Sequence, residues 1–200
     1  MYVVGVTGGI GSGKSTVCRV LAERFQIPFI YVDKISREIV QPGMPLNVEI
    51  REVFGDEAML SDGNINRAYF RAMIIADPEQ KALVDKTFYP HMKNEIDRKL
   101  ANLKENGFLV VGIENAMMIE FGATSYVNKV VVVACSEESQ LRRVMERDNQ
   151  TEESARGMMK LQMPLEEKRK HADLVITNDG TLAELRDQIN SLYESLPRIK

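Results

Sequence analysis

The stretch "VVGVTGGIGSGKST", residues 3–16, constrains this chain more than any other. It opens on a β-branched run, Val3, Val4 and Val6, while Val17, Val20, Leu21 and Phe25 then recur at helical spacing. A strand therefore feeds a glycine-rich turn that opens into a helix. In that context Gly8, Gly13, Lys14 and Ser15 satisfy G-x-x-x-x-G-K-[ST], a phosphate-binding pattern. A loop whose successive N–H groups point inward at a phosphate needs backbone conformations that side chains oppose. Gly8, Gly9, Gly11 and Gly13 remove that opposition. Lys14 supplies a charge that can follow the β- and γ-phosphates, Ser15 a hydroxyl for Mg2+, and the helix its positive dipole end.

Four further apolar runs read as buried strands: "PFIYVD" (28–33), "FLVVGI" (108–113), "KVVVVA" (129–134) and "DLVIT" (173–177). Helical stretches separate them. The pattern predicts an α/β fold built on a five-stranded parallel sheet with helices on both faces. The last helix is the clearest, with Thr181 and Glu184 as a capping box and Leu182, Leu185, Ile189, Leu192 and Leu196 as one apolar stripe.

Some 75 residues without a clear strand separate the second and third strands, which is too much for a simple crossover. Helices are predicted near 46–54, 66–76 and 78–103, the last starting at Asp77-Pro78, and Gly107 closes the segment. The chain thus reads as one domain: a core of 1–33, 107–141 and 171–200, a helical insertion at 34–106 acting as a substrate cap, and a basic, Met-rich helical lid at 142–170.

A chain of 200 residues fits one such domain. Its net charge of -3 gives no general attraction to nucleic acid, so an anion must be held by a local site. Cys18 and Cys135 lie far apart with no metal-ligand spacing and read as small core residues. No basic leader precedes an apolar segment, and no run reaches the ~20 apolar residues of a membrane span, so a cytoplasmic location is expected. A monomer or weak homo-oligomer is expected, with no nucleic-acid or membrane partner.

A P-loop alone does not separate a kinase from a GTP switch or a motor ATPase. No D-x-x-G occurs and Asn128-Lys129 is followed by two valines, which argues against a guanine-nucleotide switch. Asp33, after the second strand, can reach a hydroxyl in front of a γ-phosphate or simply cap the helix that follows. Glu114 ends the third strand, where a carboxylate can organise Mg2+, and either it or Glu120 also fits a solvated loop. Arg143 and Arg147, one turn apart, are the candidates to close on a polyphosphate, while most other lid charges, including Lys168 and Arg169, read as a solvated face. The five methionines 117, 118, 158, 159 and 163 read as packing, and His91 and His171 as structural. A kinase for a small acceptor and a non-catalytic ATP-binding switch both remain open on these residues.

Taken together, "VGVTGGIGSGKST", Asp33 with Arg37, "SEESQLRRVMERD" and "EEKRKHADLVITNDGTLAEL" resemble the dephospho-CoA kinase family over nearly the whole chain. The resemblance implies a P-loop kinase core with a helical CoA-binding insertion and a helical lid. It also implies transfer of a phosphoryl group from ATP, with Mg2+, to the ribose 3′-hydroxyl of dephospho-CoA. By matching position Asp33 would be the general base. Residues 11–16, including Ser12 and Thr16, would form the ATP phosphate site, and Arg143 and Arg147 would be the lid arginines. Asn178 with Gly180 would lie near the adenine. Three places depart from the family pattern: Tyr31-Val32-Asp33 for Asp-x-Asp, Tyr89-Pro90 for His-Pro, and residues 116–120, "AMMIE", for Pro-Leu-Leu-Phe-Glu.

Overall fold

The computed structural model describes residues 1–197, with Ile75 described by its backbone alone; the end of the expected core segment 171–200 thus lies outside the described residues. Five strands, β1 (Tyr2–Gly8), β2 (Phe29–Tyr31), β3 (Val110–Glu114), β4 (Lys129–Ala134) and β5 (Leu174–Thr177), form one sheet in the order β2-β3-β1-β4-β5. Every pairing is parallel. The sheet is parallel and five-stranded as its apolar runs predict, because such strands bury both faces and leave no alternation to read. From β1 the chain passes to β2 on one side and later reaches β4 on the other. The carboxyl end of β1 is therefore a topological switch point, where open α/β sheets bind ligands.

Two boundaries differ from the sequence expectation. The second strand ends at Tyr31, not at 33, because only Phe29, Ile30 and Tyr31 pair along β3, opposite Gly112, Ile113 and Glu114. The chain turns at once into α2 (Val32–Glu38). The third strand starts at Val110, the partner of Tyr2, and leaves Phe108 and Leu109 exposed before it.

Helix α1 (Lys14–Phe25) packs on α9 (Leu182–Glu194), with the rings of Phe25 and Tyr193 stacked 3.9 Å apart. Val17, Cys18 and Leu21 meet Leu185, Ile189 and Leu192 over Val4, Val6, Val131 and Val133 in one buried core. Both halves of the Thr181–Glu184 capping box are present. Leu182 is a correction to the apolar stripe: as the first residue of α9 it is 67% exposed, and the buried face begins a turn later at Leu185. Between β4 and β5 lie α6 (Glu137–Asp148), α7 (Glu152–Lys160) and α8 (Leu165–Arg169).

The chain divides into two compact units, residues 32–102 and the remainder. The first contains α2, α3 (Pro45–Phe54), α4 (Arg67–Ala76) and most of α5 (Pro78–Glu105). Within it Ile35, Leu46, Ile50, Phe70, Val84 and Ile96 are buried, and Phe70 lies edge-on to Phe54 and Phe88 at 5.1 and 5.7 Å. His91 is not isolated, since its Nε2 lies 2.6 Å from Glu49 Oε2 within this unit.

Candidate active site

The turn between β1 and α1 is held from behind by groups distant in sequence. Arg143 on α6 donates to the carbonyls of Asn178 at 2.9 Å and Gly11 at 3.4 Å, and Asn178 Nδ2 donates to Ser12 O at 2.8 Å. A carbonyl engaged in this way cannot turn toward an anion, so the Gly11 and Ser12 carbonyls stay out of the mouth of the loop. This is the local form of a phosphate cradle. Burial pushes the Cys135 thiol up, so it stays a neutral packing group whose Sγ lies 3.9 Å from Gly11 O. Both cysteines are buried and unpaired, as their spacing predicts.

Two glycines are dictated by this packing. Gly8 has φ 148° and a Cβ there would run into the carbonyl oxygen of Val133. Gly13 has φ 97°, and its Cβ would strike Asn178 Nδ2, the donor that braces Ser12. Gly13→Ala is therefore expected to cost roughly 1–3 kcal/mol of stability from backbone strain alone. It should also abolish detectable ATP binding, checked by thermal melting and by isothermal titration with ATP. Wild-type affinity in the variant would show that the turn does not hold the nucleotide.

Lys14 is 8% exposed and its Nζ donates to Gly8 O at 3.2 Å and Gly9 O at 3.0 Å, folded along the loop it is expected to serve. Ser15 and Thr16 follow at the start of α1, Ser15 exposed. Glu114 closes β3 opposite Val6 and Tyr31. Burial, then the nearby Cys18 and Glu114, hold the Tyr31 phenol above its usual range. A hydroxyl and a carboxylate are the oxygen donors a hard cation takes. Among the described residues no group of three His, Cys, Asp or Glu side chains can hold a metal by itself. That donor set fits Mg2+, which keeps most of its water and binds through one or two protein oxygens plus substrate phosphates.

Asp33 is the second residue of α2 and exposed, and its carbonyl accepts from Ser36 Oγ at 2.9 Å. A cap precedes the first helical residue, so the capping role does not apply here: Asp33 lies inside the first turn. Gly180 precedes the Thr181 cap, and a Cβ there would meet Glu184 Oε2. Next to it, Asp179 accepts from the backbone N and the hydroxyl of Ser136, each at 2.9 Å, and the backbone hydrogen bond above all holds its carboxyl below the usual range.

At Gly9 opens a cleft of about 700 Å³, lined by Ser136, Gln140, Asp179, Arg156, Lys160, Met163 and Arg169. Arg147 does not line it but pairs with its neighbour Asp148 at 2.7 Å. Arg156 is shared between Glu137 and Glu152. Sequence spacing did not single out Arg156, Lys160 or Arg169, because the segment also holds Glu152, Glu153, Glu166 and Glu167 and reads as mixed surface charge. Lys168 is a correction to that reading, since it is fully buried and its Nζ donates to Glu120 Oε1 at 2.7 Å. Glu120, also read as a loop charge, is largely buried with it.

A glycine cradle at the switch point of a five-stranded parallel sheet, a buried loop lysine and a helical segment lining the cleft define a P-loop kinase. Within that class the chain belongs to the dephospho-CoA kinase family, whose model matches residues 2–184. The dephospho-CoA kinase of Syntrophotalea carbinolica is 40% identical over 199 residues, covering 98% of this chain and 92% of the relative. That of Bacillus thuringiensis is 38% identical over 192 residues, 96% of each chain. A crystal structure from Thermus thermophilus superposes with a TM-score of 0.86 at 28% identity, over 98% of both chains. No helix among the described residues is long and apolar enough to cross a membrane.

Proposed function

We propose that this chain transfers the γ-phosphoryl group of ATP to the ribose 3′-hydroxyl of dephospho-CoA, giving CoA and ADP, the final step of CoA synthesis. The observation that carries this reading is the braced glycine turn before Lys14, in a chain whose family match spans both that turn and the cleft-lining helices. Loop amides, the Lys14 ammonium and the amino end of α1 hold the phosphates and meet the charge that develops in flight. Ser15 and Glu114 would hold Mg2+, which when bound neutralises β- and γ-phosphate charge. Asp33 takes the proton of the 3′-hydroxyl as its oxygen bonds to the γ-phosphorus; the bridging bond to the β-phosphate breaks and ADP leaves. Arg143 keeps the loop in shape from behind, and Arg147, itself exposed, exchanges Asp148 for a phosphate. The helical insertion 34–106 serves as the acceptor-binding segment and residues 142–170 as the lid. A cytoplasmic location fits both substrates.

The test is ADP release with ATP and each of dephospho-CoA, adenosine, AMP, shikimate or no acceptor. Remote binding energy from the pantetheine arm positions the reacting hydroxyl, so adenosine should fall below dephospho-CoA in kcat/KM by about 10²-fold or more. Equal values for the two would show that Tyr31, Tyr89 and Ala116, which depart from the family pattern, mark another acceptor. Tight ATP binding with no acceptor-dependent turnover would instead make the chain a nucleotide-binding switch.

A further inference from the structure

The segment 162–169, which closes the lid, is pinned at two points. At its start the Ile10 N–H of the P-loop donates to Gln162 Oε1 at 2.9 Å. At its other end Lys168, with none of its side chain exposed, donates to Glu120 Oε1 at 2.7 Å and to Ala116 O at 2.5 Å. The same Glu120 oxygen accepts the Met163 N–H at 2.9 Å, and Ala116 O also accepts from Thr7 Oγ1 at 3.3 Å. The loop after β3 and α8 are thereby joined through one ammonium group, and Thr7 near the end of β1 shares its Ala116 carbonyl.

Burying this pair is not an economical source of stability. Removing two charges from water costs about what their attraction returns, and Glu120 Oε2 is buried with no hydrogen-bond partner. What the pair does fix is position. Arg169 follows Lys168 on the short helix α8 and lines the cleft at Gly9. Its Nε is buried without a hydrogen bond and has only an ion pair at 3.3 Å with Glu166. Arg156, which also lines the cleft, is already shared between two glutamates.

We propose that Glu120, Lys168 and Gln162 are positioning residues that hold the closing segment of the lid to the P-loop, so that Arg169 meets the triphosphate of ATP. This rests on the kinase reading above but concerns ATP rather than the acceptor. When ATP binds, the Arg169 guanidinium leaves Glu166 for a phosphate, a fork-to-oxygen match that needs its base fixed to within an ångström.

Five variants test it: Arg169→Ala, Gln162→Ala, Lys168→Met, the double variant Glu120→Gln with Lys168→Met, and that double variant with Arg169→Ala. Each is measured for melting temperature, ATP affinity without acceptor, and kcat and KM with dephospho-CoA. Lys168→Met alone should melt earlier, since it leaves a buried carboxylate uncompensated, and the double variant should recover the melting temperature. The recovered protein should still bind ATP about 10- to 100-fold more weakly, with a raised KM for ATP and an unchanged KM for dephospho-CoA. Adding Arg169→Ala to the double variant should cost nothing further, as residues acting through one another are not additive. A double variant with wild-type ATP affinity, or full additivity with Arg169→Ala, overturns the proposal. If the double variant does not fold, Gln162→Ala decides, because that side chain is only partly buried: weaker ATP binding at an unchanged melting temperature supports the positioning role, and wild-type binding overturns it. Absence of dephospho-CoA turnover in the wild type would sink the kinase reading, while the ATP affinities would still judge the lid.

Discussion

Lys14→Met is expected to lower kcat for dephospho-CoA phosphorylation by at least about 10²–10³-fold, the effect of removing one preorganised charge donor from a developing anion. The protein should remain folded. Lys14 is nearly buried, but its Nζ is held by two carbonyls of its own loop, Gly8 and Gly9. Methionine fills the stem volume and leaves those two carbonyls with less company, at a cost of roughly 1–3 kcal/mol if both become unsatisfied. A coupled ADP-release assay beside a melting curve separates the two effects. Turnover within twofold of wild type would remove Lys14 from the chemistry.

The second large effect is at Asp33, where Asn keeps the size and loses the basic oxygen. A lost general base costs about 10²–10⁴-fold in rate, so kcat for Asp33→Asn should fall by that order with KM for ATP and dephospho-CoA close to wild type. Because Asp33 lies in the first turn of α2 and not at its cap, the only structural loss is its interaction with the helix dipole, about 0.3–1 kcal/mol. The melting temperature should therefore barely move. A wild-type kcat would shift the proton-accepting role to another carboxylate, Glu114 first.

These two positions show what the linear sequence carries. Local chemistry decides the strand, the glycine turn and the helix that follows, since φ values of 148° and 97° at Gly8 and Gly13 are demands of single residues. The strands are legible for the same reason: a run such as "KVVVVA" satisfies one buried environment from Val130 to Ala134. The capping box at Thr181 and Glu184 is local as well.

What the sequence by itself determined, then, is the sheet class, the glycine turn between β1 and α1, and the family. Tertiary structure alone decided which charges matter around the cradle. "EEKRK" reads as surface until a five-residue helix turns Lys168 wholly inward and Arg169 toward the cleft. Glu120 becomes its partner across 48 residues of chain, and Gln162 reaches the P-loop across 152. Arg143 braces Gly11 from 132 residues away. A charged side chain has the same composition signature whether it faces water or a single buried partner. Only the backbone path that brings the partner within 3 Å removes the water and makes the difference.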